Sequence, residues 1–354
     1  MPHAEPLPEG SRILTICNAC RYCEGYCAVF PAMEHRQDFA AEDLHYLANL
    51  CHNCAECYYA CQYAPPHEFA VNVPRVLAEI RLDSYRHYAW PPFLARVLER
   101  SGRLALTTLA ISIAIGLLAG QPFSSAKSFY SVIPHGVMVA VFGVTAILAA
   151  AALIGGVARP AAGLFRNTSG PVVERTLRRI LTLEYLGSGG AGCTYPDEHH
   201  SMARRWFHHC TFYGFLLCFA STTVAAFYHY ALARLAPYPY FSLPVLLGTL
   251  GGAGLLIGPA GLYWLKRRRD PAIADRGQDG FDITFLALLF ATSFTGLLLL
   301  ALRHSHVMGV LLVIHLATVL ALFATLPYGK FIHGIYRATA LWRYAAETSE
   351  RCSR

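Results

Sequence analysis

Cys17, Cys20, Cys23 and Cys27 are followed by Cys51, Cys54, Cys57 and Cys61 in the same spacing. C-x2-C-x2-C-x3-C is the run by which bacterial ferredoxins hold [4Fe-4S] clusters: three thiolates bind one cluster and the fourth reaches across to the other. Thiolates at i, i+3 and i+6 of a tight loop can converge on one face of a cube, and the last corner must come from elsewhere. Applied here, that predicts Cys17, Cys20, Cys23 and Cys61 around one cluster, and Cys51, Cys54, Cys57 and Cys27 around the other. Two structural zinc sites are the rival reading, although zinc usually draws its four ligands from paired C-x2-C units. In this chain Pro31 and Pro65 stand four residues beyond the fourth cysteine, where the ferredoxin run has proline directly after it. The stretch 31–50 between the runs predicts a helix, opened by proline and with Phe39, Leu44, Leu47 and Leu50 near one face. A helical ferredoxin, similar to that of succinate dehydrogenase iron-sulfur subunits, is therefore expected rather than the β-hairpin form.

Histidines inside apolar sequence are the second source of chemistry, since ionisable side chains are rare in membrane spans without a function. Haem b held between helices needs two imidazoles that face each other. On continuous helices His208 and His229 share a face about 31 Å apart, and His315 and His333 share one about 27 Å apart. The expected pairs are His208 or His209 with His333, and His229 with His315, for one haem or two. Pro327 lies between His315 and His333 and can end the helix that this sum assumes. His135 is a further outer candidate, while His199, His200, His304 and His306 read as surface residues. The plain alternative is that His208, His209 and His333 only anchor helix ends at the interface. Cys193, Cys210, Cys218 and Cys352 are expected to be non-ligands. Tyr22, Tyr26, Tyr58, Tyr59 and Tyr63 crowd the cysteines, where they can shield clusters and meet a partner.

These groups need a scaffold, and the composition says which kind. The 354 residues are 55% hydrophobic and only 14% charged, too apolar for a soluble domain of this length. The first hundred residues carry eight of the twelve cysteines and no long apolar run, which predicts a polar head at 1–100, a membrane bundle at 101–340 and a short tail at 341–354. Six spans are expected, at 103–120, 132–156, 206–230, 241–265, 281–302 and 307–328. Lys and Arg number nine up to residue 103, then one, seven, one, five, one and five through the successive loops and the C-terminal tail. That alternation puts head, long loop and tail in the cytoplasm. It also accounts for the net charge of +7, so nucleic acid is not an expected partner and membrane lipid is. The opening MPHAEPLPEGSR shows no secretory signal, and in a reducing cytosol dense cysteines are expected to hold metal. The fold class expected is all-α: a helical ferredoxin-like head with two [4Fe-4S] clusters, then a six-helix bundle of cytochrome b type. No G-x-G-x-x-G follows a strand, so flavin is not expected in this chain, and GSGGAGC at 187–193 is a weak signal.

Read together, CNACRYCEGYCAVFPAMEHR, LCHNCAECYYACQYAPPHEFAVNVP, RRWFHHCTFYGFLLCFAST, YHY, GPAGLYWLKRRRDP and LPYGKFIHGIYR resemble the tricarballylate-utilisation, or citrate-utilisation, family of membrane electron-transfer proteins. The likeness covers nearly the whole chain. It implies a protein of the bacterial inner membrane that takes electrons from an FAD-dependent tricarballylate dehydrogenase and passes them to quinone. A related fusion in cobalamin synthesis, which carries flavin, haem and iron-sulfur centres, implies haem here as well. LPYGKFIH is also similar to the haem b subunits of heterodisulfide reductase and nitrate reductase, which implies His315 and His333 as ligands. The reading from another class is a membrane transporter or sensor whose cysteine-rich head is a zinc-stabilised docking module.

Overall fold

The computed structural model describes residues 5–98, 100–119, 128–162, 164, 168–187 and 193–352. Among them the architecture is all-α, with an isolated bridge between Cys193 and Ser201 and no strand. The GSGGAGC stretch lies outside the described residues except at its ends.

The head is built from α1 (Pro6–Cys20), α2 (Val29–Met33), α3 (Ala41–Leu50), α4 (Glu56–Tyr59) and α5 (Val73–Tyr88). The single helix expected between the cysteine runs is two, α2 and α3. Glu42 and Asp43 begin α3, where free amides and the helix dipole favour negative charge. Asn72 caps α5 by accepting from the Arg75 amide, and Pro74 occupies the first turn, where no amide partner is lost. Ile13 and Leu14 of α1, Leu44 and Leu47 of α3, and Leu77 and Ile80 of α5 bury together as the core.

The chain continues through α6 (Ala95–Leu98), α7 (Ser101–Ala119), α8 (Phe129–Val132), α9 (His135–Ala158), α10 (Gly170–Thr182), α11 (Ala203–Leu232), α12 (Leu243–Arg268), α13 (Asp279–Ala301), α14 (Met308–Thr325) and α15 (Ile332–Cys352). Of these, α7, α9, α11, α12, α13 and α14 are long and apolar enough to cross a membrane, and each falls on one of the six expected spans. Leu106, Ile111, Ile147, Leu148 and Phe219 lie exposed on the outside of the bundle. An apolar outer surface of this kind is consistent with a multi-pass membrane protein in contact with lipid. Inside, Ala105, Leu255, Leu288, Leu289 and Ala321 bring α7, α12, α13 and α14 into one core.

Two features differ from the sequence expectation. The loop before α11 contains α10, whose Val172 and Thr176 are buried while Leu177 and Leu181 are exposed; Val172 packs on Ala345 and Ala346 of α15. The helix assumed to run from His315 to His333 is broken. α14 stops at Thr325, Leu326–Tyr328 makes a single 3-10 turn through Pro327, and α15 starts afresh at Ile332. Proline supplies no amide and restricts the residue before it, so the break falls where it must. α15 then runs back over the head, adding Ala340, Leu341 and Tyr344 to the head core. Most of the expected tail thus lies within α15.

Candidate metal and cofactor centre

Both cysteine runs begin where helices stop. α1 ends at Cys20 because Arg21 turns left-handed at φ 57°, and the second run passes beyond α3 through Asn53 and Ala55, left-handed at φ 54° and 68°. Left-handed conformation costs a non-glycine residue about 1–2 kcal/mol. Three such residues in two short loops mean that the backbone is bent to aim side chains.

The bends gather thiols from distant points in the chain. Cys17 stands with Cys20, Cys23 and Cys61, and burial, then the neighbouring Cys61, pushes the Cys17 and Cys23 thiols up to about 12. Cys27 and Cys57 stand with Cys51 and Cys54, and burial holds both well above the usual thiol range. Each group draws three members from one run and one from the other. A cavity of about 280 Å³ opens among Cys17, Cys20, Cys23, Cys57 and Cys61. Among the described residues no three His, Cys, Asp or Glu side chains close on a single-ion site, which would need its sulfurs about 2.3 Å from one point. Buried thiols that resist ionising fit a multi-iron cluster, whose positive charge stabilises thiolates that burial disfavours.

The two groups face different surroundings. Tyr22, between Cys20 and Cys23, is 66% exposed. The second run instead rests on the membrane bundle. Arg81 of α5 and Arg337 of α15 both donate to the Cys51 carbonyl, at 2.7 and 2.6 Å. Arg204 of α11 donates to the Asn53 carbonyl at 2.8 Å, and Cys193 Sγ and Thr194 Oγ1 both donate to the Cys54 carbonyl at 3.1 Å. Cys193, set aside in the sequence, is thus a buried neighbour of the second run.

Beneath that run lie two adjoining cavities of about 160 and 260 Å³ that share His52, His208, His333 and Arg337 as walls. The smaller is lined by charge, including Arg81, Lys266, Asp282 and Lys330; the larger is lined by Phe212, Phe215, Leu289 and Phe331. His208 and His333 face each other with ring centroids 6.1 Å apart and planes at 64°. His333 Nδ1 donates to the Lys330 carbonyl at 2.5 Å, which leaves Nε2 free, and the buried Nδ1 of His208 has no partner. Metal–nitrogen bonds of about 2 Å from each ring take up most of that 6.1 Å separation. The pair, with an apolar wall on one side and cations on the other, fits an amphipathic disc such as haem b.

The remaining histidines lie elsewhere. His209 points away from the cavities, stacked on Tyr213 at 5.7 Å and near Trp206. The histidine ring stacked on His229 is not His315 but His135 of α9, at 4.2 Å and 16°. His315 sits against α13, with Nδ1 3.1 Å from Thr295 Oγ1 and Gly296 leaving room for its ring. His52, not among the residues chosen from the sequence, is buried next to the second run and donates Nδ1–H to the Leu50 carbonyl at 2.8 Å. Its only signal was its place directly after Cys51.

Comparison with known proteins gives a consistent picture. Residues 10–87 match the family described as Citrate utilization protein B Fer4-like domain, and residues 92–354 match Citrate utilization protein B. The Citrate utilization protein B of Escherichia coli is 47% identical over 357 residues, covering 97% of this chain and 93% of that protein. No solved structure matches the chain significantly. The Fer4-like segment is the one that carries both cysteine runs, which is consistent with an iron-sulfur electron-transfer role.

Proposed function

We propose, for a chain that belongs to the Citrate utilization protein B family, that it carries electrons from a partner FAD-dependent dehydrogenase to quinone by way of two [4Fe-4S] clusters and haem b. The dehydrogenase would resemble one acting on tricarballylate. In this reading Cys17, Cys20, Cys23 and Cys61 hold the outer cluster, and Cys27, Cys51, Cys54 and Cys57 hold the inner one. His208 and His333 hold haem. All three groups supply one-electron chemistry when bound; the protein's own residues bury the centres, exclude water and keep them in line.

One observation carries the reading: eight cysteines are drawn into two crosswise groups, the second fastened by Arg204 and Arg337 to the helices that present His208 and His333. The exposure of Tyr22 supports the first group's side of the head as the face that meets the flavoprotein. The alternation of Lys and Arg supports a bacterial inner-membrane location with both termini cytoplasmic, the head at 1–100 and the bundle at 101–340.

Anaerobic purification with iron, inorganic sulfide, zinc and haem measured together tests it. About eight iron and eight sulfide per chain are expected from two [4Fe-4S] clusters, with a broad violet absorption and sharp haem bands on reduction. Stoichiometric zinc without sulfide would overturn the reading and favour a zinc-stabilised docking head on a transporter or sensor. Clusters without haem would leave direct transfer from cluster to quinone.

A further inference from the structure

Three guanidinium groups donate to the backbone in and just before the second cysteine run. Arg81 donates to the Ala48 and Cys51 carbonyls, both at 2.7 Å. Arg337 donates to Asn49 at 3.2 Å and to Cys51 at 2.6 Å. Arg204 donates to Asn53 at 2.8 Å, with Cys193 Sγ 3.8 Å from the same nitrogen. Among the described residues none of the three forms an ion pair. Other cations of the same cavity do: Lys266 and Lys330 each meet Asp282 at 2.7 Å, and Arg269 meets Asp279 at 2.6 Å. A cation withdrawn from water and bonded only to carbonyls is costly unless negative charge stands nearby.

The first run carries its own arginine at the surface. Arg21, the nearest arginine in sequence, is exposed and reaches only the Asn18 carbonyl at 3.3 Å.

We propose that Arg81, Arg204 and Arg337 make the cluster of Cys27, Cys51, Cys54 and Cys57 the easier of the two to reduce, so that electrons run downhill from the outer cluster to the inner one. The inference rests on the cluster reading above. A cluster with four thiolates is negative, and reduction adds another negative charge. Nearby cations favour the reduced form and a nearby carboxylate opposes it. Burial alone works the other way, because low dielectric disfavours added charge. The same low dielectric leaves the three arginines unscreened, so their attraction is strongest where it is needed. In the step itself one electron leaves the outer cluster, which is oxidised, and enters the inner cluster, which is reduced. No bond changes and no proton moves; the partner's reduced flavin supplies the electron and quinone accepts it.

An EPR-monitored redox titration of the full-length protein tests this. Arg204→Gln is the chosen variant, because Arg81 and Arg337 each make two of the bonds that hold the Cys51 segment. It should lower one cluster's midpoint by about 59 mV or more, a tenfold change in a one-electron equilibrium constant, and leave the other in place. Arg204→Lys should restore most of the shift. Cys20→Ser assigns the signals, since it should perturb the one that Arg204→Gln leaves alone. Intact clusters whose midpoints do not move, or move equally, would overturn the inference alone, as would a shift confined to haem. A preparation lacking inorganic sulfide would overturn the cluster reading and this inference with it.

Discussion

His208 and His209 are adjacent in sequence and differ in surroundings, because a helix turns about 100° per residue. His208 lines both cavities opposite His333, whereas His209 stacks on Tyr213 outside them. A haem held by His208 and His333 could not use His209 in place of His208, so His208→Ala and His333→Ala should each lower bound haem at least about tenfold, the scale on which even a supporting partner of a metal ligand is felt. His209→Ala should leave haem content unchanged. Haem extracted from purified variants and measured as its pyridine complex makes the comparison, with iron and sulfide as the internal control for the head. Retention of haem in both His208→Ala and His333→Ala would move the ligands to other residues. His229→Ala and His135→Ala then become the informative variants, because their stacked rings are the other histidine pair that the bundle brings into contact.

At the scale of elements, α11 can present His208 only if it lies close to α12. Gly251, Gly254 and Gly258 form the strip that admits it: a Cβ on Gly254 would meet the Cys210 carbonyl at 2.8 Å, and one on Gly258 would meet the Thr211 amide at 2.6 Å and the Phe207 carbonyl at 2.7 Å. Small residues at such spacing let membrane helices approach backbone to backbone. Gly258→Ala should push α11 outward beside His208, cost about 1–3 kcal/mol as overpacking does, and lower both thermal stability in detergent and haem content. Equal haem and an unchanged melting temperature would show that the crossing can widen freely. Hydropathy does not register this strip, since it records what a residue lacks and not what packs into the space. The spans themselves were legible because length and apolarity suffice to define them, and the cysteine groups because their spacing is local. The histidine geometry was legible in part. His208 and His229 lie on one helix, α11, so turns can be counted between them. Between His315 and His333 the Pro327 turn starts a new helix, and no count across it could place His333. Contacts between distant segments, such as Cys193 with Cys54 or His135 with His229, had no periodic trace to follow.

Across the whole molecule, α15 does what a flexible tail could not, because it belongs to the head and the bundle at once. Its first turns place His333 and Arg337 under the second cysteine run, and its later turns complete the head core through Leu341 and Tyr344. A polar network locks this arrangement. Glu347 accepts from Arg36 at 2.7 Å, from Arg343 at 3.0 Å and from Tyr46 at 3.1 Å, while Asp43 meets the same two arginines at 2.7 and 3.1 Å. Arg36 is largely buried, its side chain 8% exposed, so losing Glu347 leaves a buried cation short of a partner and not merely one surface ion pair fewer. Glu347→Ala should therefore cost roughly 1–3 kcal/mol, the range for hydrogen bonds to charged groups. The loss should appear as faster proteolysis of the head, with the membrane helices still protected. Clusters should still assemble, because the network touches no cysteine, but reduction of haem by pre-reduced clusters should slow as the second run loses its fixed place over His208 and His333. Unchanged head proteolysis together with unchanged transfer would mean that Arg81, Arg204 and Arg337 hold the two halves in register without help from the far end of α15.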